Sequence, residues 1–218
     1  MRSFTSKLRF AALNLICLGF LMIPAAEAQD LTGSALVRAL QQGGYVIVMR
    51  HTSSPRDVPS KALADPENVT LERQLDETGR TTARAMGEAV KTMHIPLGDV
   101  LSSPTYRARE MLKLAGITKF KTAAELDEPA SGMTMTAPAS GTGVWLKAKA
   151  AEPPRPHTDT LLVTHVPNIN AAFAPDVKNV ADGEALVFHP DGKGGTVLVA
   201  HIKIEEWPLL AGTKAGGN

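Results

Sequence analysis

Apolar residues fall along this chain in two patterns. Some runs are unbroken: Tyr45-Val46-Ile47-Val48-Met49 and Thr160-Leu161-Leu162-Val163-Thr164. Continuous apolar runs of this length suit strands covered on both faces. Elsewhere apolar residues recur every three or four positions. Ala83, Met86, Val90 and Met93 do so between Asp76 and His94, which predicts a helix ended by Pro96. Leu31–Gln42 predicts a first helix, capped by Thr32 or Ser34 and stopped by Gly43-Gly44. Thr105–Leu114 predicts another, with Gly116 as its stop, and Val144–Ala151 a short one. Val100-Leu101 reads as a short strand and Phe120–Leu126 as an edge strand. Ala185–Phe188 and Thr196–Ile204 read as two strands joined by the turn Asp191-Gly192-Lys193-Gly194-Gly195. Ser53–Arg73 and Glu128–Gly143 are polar loops, and the glycine-rich tail after Trp207-Pro208 is expected to fray. Alternation of strands with helices favours an α/β sandwich.

One apolar stretch stands outside this alternation. Phe10 to Ile23 follows a basic start of Arg2, Lys7 and Arg9, and leads to Pro24 and Ala26-Glu27-Ala28. A basic start, an apolar run and a small-x-small site are the anatomy of a secretory signal segment. The run is short for a bilayer span of roughly 20 residues, which disfavours an uncleaved anchor. The expected organisation is a signal peptide at 1–28 and a single domain over 29–218, exported to the periplasm or secreted, without stable membrane insertion afterwards. The chain has one cysteine, Cys17, which lies inside the signal segment. A disulfide framework, cysteine chemistry and thiolate metal sites are thereby excluded. The 23 basic residues nearly balance the 22 acidic ones, and aromatic residues make up 5% of the chain. Nothing here resembles the electrostatic footprint of a nucleic-acid partner.

Two of the unbroken runs stop in the same way. Val46–Met49 meets Arg50-His51, and Leu161–Thr164 meets His165. Ligands of open α/β sheets bind beyond the carboxyl ends of the strands. If the two runs are parallel neighbours, both histidines reach one crevice. A guanidinium beside an imidazole at such a strand end can seize a phosphate and attack it.

Three segments, Met49-Arg50-His51-Thr52, Ser103-Pro104-Thr105-Tyr106-Arg107-Ala108 and Val163-Thr164-His165, together resemble the histidine phosphatase (phosphoglycerate mutase-like) superfamily in order and spacing. The resemblance implies a three-layer α/β/α sandwich with a mostly parallel mixed central sheet. It also implies phosphoryl transfer through a phosphohistidine, with His51 as nucleophile and Arg50, Arg107 and His165 as the phosphate pocket. Thr52 departs from the small residue usual in relatives; its bulk narrows the pocket, or its hydroxyl adds a phosphate donor. Glu125-Leu126-Asp127-Glu128 resembles the Leu-x-Glu segment in which relatives place their acid, although the glycine and tryptophan that follow it there are absent here. Glu184, at the mouth of a late strand, is the alternative acid.

The chemistry agrees with these assignments. In-line displacement at phosphorus needs positioning and neutralisation of the equatorial oxygens. The planar, permanently charged fork of arginine suits that task. With Arg50, Arg107 and a protonated His165 as donors, a divalent metal is unnecessary. The sequence has no His-x-His or Glu-x-x-His pair to hold one. The expected activity is therefore metal-independent and cofactor-free hydrolysis of a small phosphomonoester. The alternative is a catalytically silent protein of the cell envelope that binds phosphorylated ligands. His94, His157, His189 and His201 read as surface or strand residues, Ser54 and Ser103 as turn formers, and Arg56 and Lys61 as solvated loop cations. Asn168 reads as a helix cap.

Overall fold

A computed structural model describes residues 30–55, 69–128 and 141–212. The expected signal segment, most of the two polar loops and the last residues of the tail lie outside them. Arg56 and Lys61 do as well.

Six strands form one sheet in the order β3-β2-β4-β1-β5-β6. They are β1 (Val46–Arg50), β2 (Leu97–Ser102), β3 (Lys121–Thr122), β4 (Asp159–Thr164), β5 (Ala185–Pro190) and β6 (Thr196–Ile202). β3, β2, β4 and β1 run parallel, whereas β5 is antiparallel to both β1 and β6. The helices are α1 (Gly33–Gln42), α2 (Glu77–Thr92), α3 (Tyr106–Leu114), α4 (Gly141–Ala150), α5 (Val166–Phe173) and α6 (Glu206–Gly212).

Side chains alternate across a strand, so each unbroken run feeds two cores. Ile47, Met49, Leu161 and Val163 pack with α1, α2, α3 and α6 on one face. Val46, Val48 and Leu162 pack with α4 and α5 on the other. These two cores make the three layers, and they explain why β1 and β4 carry no polar alternation. Among the described residues no helix is long and apolar enough to cross a membrane.

Three expectations change. The edge strand over Phe120–Leu126 shrinks to Lys121–Thr122, because β2 leaves the sheet at Ser102, and Ala124–Leu126 then forms a 3-10 turn. This turn drops Leu126 into the second core. The last short helix predicted before β4 starts earlier, at Gly141, where Gly143 lies so close to Ala171 of α5 that a Cβ would collide with it. The tail expected to fray after Trp207-Pro208 stays helical to Gly212: α6 buries the Trp207 indole in the first core and packs on α2. Apolar burial here outweighs the weak helix preference of the glycine-bearing sequence.

Asp76 caps α2. Its carboxylate accepts from Gly79 N–H at 2.7 Å and from Ser53 Oγ at 2.7 Å. A Cβ at Gly79 would overlap the Ser53 carbonyl. The first turn of α2 is thus pressed against the chain just after His51. Thr32 takes the N-cap position of α1, but its side chain makes no capping bond.

Candidate active site

The register of β1 and β4 pairs Arg50 with Thr164, so His51 and His165 leave adjacent strands side by side. His51 is 3% exposed and His165 1%. Their rings meet edge to face with centroids 5.2 Å apart.

Arg107 comes from the first turn of α3, where residues 102–105 bring the chain out of β2. It too is buried, at 3% exposure. Its Nε donates to His51 Nε2 at 3.1 Å, and its Nη2 donates to Glu128 Oε2 at 2.6 Å. The same Nη2 lies 3.1 Å from His165 Nδ1. One guanidinium thus holds both imidazoles and a carboxylate.

These partners settle the tautomers. His51 Nδ1 is 2.7 Å from the Thr52 carbonyl, which only accepts, so Nδ1 carries the proton and Nε2 keeps its lone pair. On His165 the pattern is reversed. Nδ1 accepts from Arg107, and Nε2 donates to Ser103 Oγ at 2.8 Å. Ser103, read from sequence as a turn former, is thus also the residue that holds His165. Burial pushes the His51 pKa down to about 3, helped by the Arg107 guanidinium and, to a smaller extent, by Arg73 and Arg50. His51 is therefore a neutral imidazole at any ordinary pH, with Nε2 turned towards Arg107.

Arg50 ends β1. Its Nη1 donates to Val180 O at 2.8 Å, and its Nη2 pairs with Asp182. A cavity of about 490 Å³ opens between these groups, lined by Arg50, His51, Arg73, Glu128 and His165. Val166, Pro167, Asn179, Val180 and Ala181 complete its lining.

Arg73 was treated in the sequence only as the end of a polar loop. It is held by Ser54, through Nε to Oγ at 3.0 Å and Nη2 to the carbonyl at 3.1 Å. Its Nη1 lies 3.9 Å from Glu128 Oε1. The available signal was its place just ahead of Leu75 and the Asp76 cap, which ties this end of the loop to a rigid helix.

The two candidate acids separate. Glu128 faces the cavity between Arg107 and Arg73. Glu184 turns away, accepting from Ala181 N–H at 2.8 Å and pairing with His201 Nδ1 at 2.9 Å. It is not among the described cavity-lining residues. The Thr52 side chain is fully buried, and its Oγ1 has no hydrogen-bond partner among the described residues.

No protein-family model matches the sequence, and no curated protein matches it. Solved structures do match. The protein histidine phosphatase SixA complexed with tungstate aligns over 74% of this chain and 98% of its own, at 18% identity and a TM-score of 0.53. The fold is that of a histidine phosphatase. A phosphoserine phosphatase variant from Entamoeba histolytica, in complex with phosphoserine, aligns over 74% of this chain and 98% of its own, at 14% identity and a TM-score of 0.49. Within the histidine phosphatase fold, the cluster described above sits beyond the carboxyl ends of the central parallel strands, where α/β sheets bind ligands.

Proposed function

We propose that this protein is an exported, metal-independent phosphatase acting on small phosphomonoesters through a phosphohistidine on His51. One observation carries the reading: a buried neutral imidazole presents a bare Nε2 to the Arg107 guanidinium at 3.1 Å, inside a cavity that Arg50 and Arg73 also line. SixA, with which this chain shares its fold, is itself complexed with tungstate, a tetrahedral oxyanion like phosphate. The basic start, apolar run and small-x-small site of the first 28 residues support export.

An entering phosphoryl group competes for the Arg107 fork. Its oxygens take the guanidinium N–H groups in place of His51 Nε2, Glu128 and His165, which frees the Nε2 lone pair, and Arg50 and Arg73 neutralise the remaining charge. Glu128, released from Arg107, takes up the proton carried by the incoming monoester monoanion and can then pass it to the leaving oxygen. His165 donates to a phosphoryl oxygen once its Nδ1, no longer accepting from Arg107, takes up a proton.

The His51 Nε2 lone pair forms the N–P bond while the P–O ester bond breaks. Its electron pair leaves on the alkoxide, which Glu128 protonates. Water then attacks phosphorus, and Glu128 takes its proton. The N–P bond breaks back onto Nε2, and the products are an alcohol and inorganic phosphate. The Thr52 carbonyl holds Nδ1–H throughout, so positive charge that develops on the ring is met by a fixed acceptor.

The test is turnover of p-nitrophenyl phosphate by residues 29–218 in the presence of a chelator. Turnover that persists in chelator and disappears in His51→Ala supports the phosphatase. Binding of phosphate compounds without turnover would instead leave a catalytically silent envelope protein.

A further inference from the structure

Asn168 is fully buried in the first turn of α5, three residues after His165. It does not cap that helix. Its Nδ2 donates to Asp127 O at 2.8 Å and to Thr164 Oγ1 at 2.9 Å. Thr164 Oγ1 in turn donates to Leu126 O at 2.9 Å. Both protons of the amide and the single hydroxyl proton are used, and two consecutive carbonyls of the 126–127 backbone are held. Asp127 Oδ1 closes the segment by accepting the Glu128 N–H at 2.7 Å. On the far side, Thr142 Oγ1 reaches Asn168 Oδ1 at 3.4 Å.

The same turn that delivers His165 from β4 into α5 therefore clamps the backbone that presents Glu128. Thr164 has a third bond: its carbonyl accepts the His51 N–H at 3.2 Å. The sheet is bonded here to the His51 backbone at one end of the cavity and to the carboxylate segment at the other. Asp127 and Glu128 belong to no strand or helix that would fix them. Leu126 in the core and these side-chain bonds fix them instead.

We propose that Asn168, with Thr164, is a positioning residue for Glu128: it sets the distance between the proton donor and the oxygen leaving His51-bound phosphorus. This rests on the phosphatase reading above. A proton donor matters in proportion to the basicity of the leaving group, so the loss must depend on that group. A displacement near 1 Å is enough to lower rates about 10²-fold.

The experiment compares kcat/KM for p-nitrophenyl phosphate, a good leaving group, with that for a simple alkyl phosphate, a poor one. The variants are Asn168→Ala, Asn168→Asp, Thr164→Val and Glu128→Gln, with the double variant Glu128→Gln/Asn168→Ala. Thr164→Val keeps the buried shape and serves if Asn168→Ala folds poorly. Asn168→Ala and Thr164→Val are expected to lower the alkyl ester at least about 10-fold more than the aryl ester. Asn168→Asp, which cannot donate when ionised, should behave like Asn168→Ala. The double variant should be little worse than Glu128→Gln alone, since the two residues act as a unit. Equal losses on both esters, or additivity in the double variant, would overturn the role of Asn168 while leaving the phosphatase standing. Absence of turnover of either ester by the parent protein would sink both.

Discussion

Arg107 Nε donates to His51 Nε2 at 3.1 Å, and one nitrogen further along the same guanidinium meets His165 and Glu128. A cation that cannot deprotonate is the partner of two imidazoles, so each must offer it a lone pair. The two rings thus hold opposite tautomers, and His51 Nε2 carries an unprotonated lone pair before any ligand arrives.

The first consequence is a silent titration. The His51 pKa is lowered from 6.5 to about 3, chiefly by burial. Unfolded chains take up this proton as pH falls through 6.5, whereas the folded protein does not. The stability this group contributes is therefore complete above 6.5 and is lost as pH falls from there towards 3. Nitrogen NMR of the ring should show the Nδ1–H tautomer unchanged from pH 5 to 8. A midpoint near 6.5 would contradict the buried, Arg107-bound imidazole.

The two carboxylates should part company in kinetics. Glu128→Gln is expected to lower kcat/KM for an alkyl phosphate about 10²- to 10⁴-fold, the range of a lost general acid. Glu184→Gln can still accept the Ala181 N–H through its amide oxygen, and it should leave the dependence on leaving group intact. The reverse outcome would move the proton donor to Glu184.

Gly79→Ala tests how α2 supports the chain just after His51. The new methyl meets the Ser53 carbonyl, so the turn after His51 or the helix must move. Overpacking of this kind costs about 1–3 kcal/mol. Melting temperature and kcat should both fall. Gly212→Ala, where a Cβ meets nothing within 4 Å, serves as the control and should change neither.

Asp159 carries a stability prediction at the opposite end of β4. Burial raises its pKa from 3.8 to about 7, against the opposing bond from Tyr45 N–H at 2.9 Å. The unfolded chain loses this proton near 4 and the folded chain near 7. Its favourable contribution is complete below about 4 and is lost as pH rises to 7. Asp159→Asn keeps an oxygen for Tyr45 and cannot ionise. Its urea midpoint should match the parent's at pH 4 and exceed it at pH 8; equal midpoints at both pH values would refute the assignment.

Thr52 offers a buried hydroxyl without a partner among the described residues. Thr52→Val keeps the shape, leaves the carbonyl that binds His51, and removes the unsatisfied group. Stability should rise by about 1 kcal/mol, read as a higher melting temperature. A loss of vanadate affinity in this variant would instead place the hydroxyl against the ligand.

Much of the site was legible along the chain because the carrying signals are local. An apolar run ending in Arg50-His51, and another ending in His165, declare strands whose carboxyl ends are polar. The Ser103–Ala108 segment declares a helix start with Arg107 on its first turn. Arg73 was legible only as a cation just ahead of the Asp76 cap; Ser54, distant in the chain, turns it towards His51. Asn168 read as a helix cap because Asn at a helix start commonly caps, yet its donors go to Asp127 and Thr164. The residues just after Trp207-Pro208 read as frayed tail yet continue α6, since the surface it packs on belongs to α2.

By itself, then, the order of residues determined the α/β class, the two buried strands and the candidates His51, His165, Arg50 and Arg107. Periodicity and strand-end chemistry act over a few neighbouring residues, so they are written into the chain directly. Only the tertiary structure decided that β1 and β4 are parallel neighbours in register, that Glu128 faces the cavity while Glu184 turns to His201, and which ring nitrogen carries each proton. Those outcomes depend on contacts between segments far apart in the chain. Burial and hydrogen-bond geometry select among such contacts, and neither exists until the layers have packed.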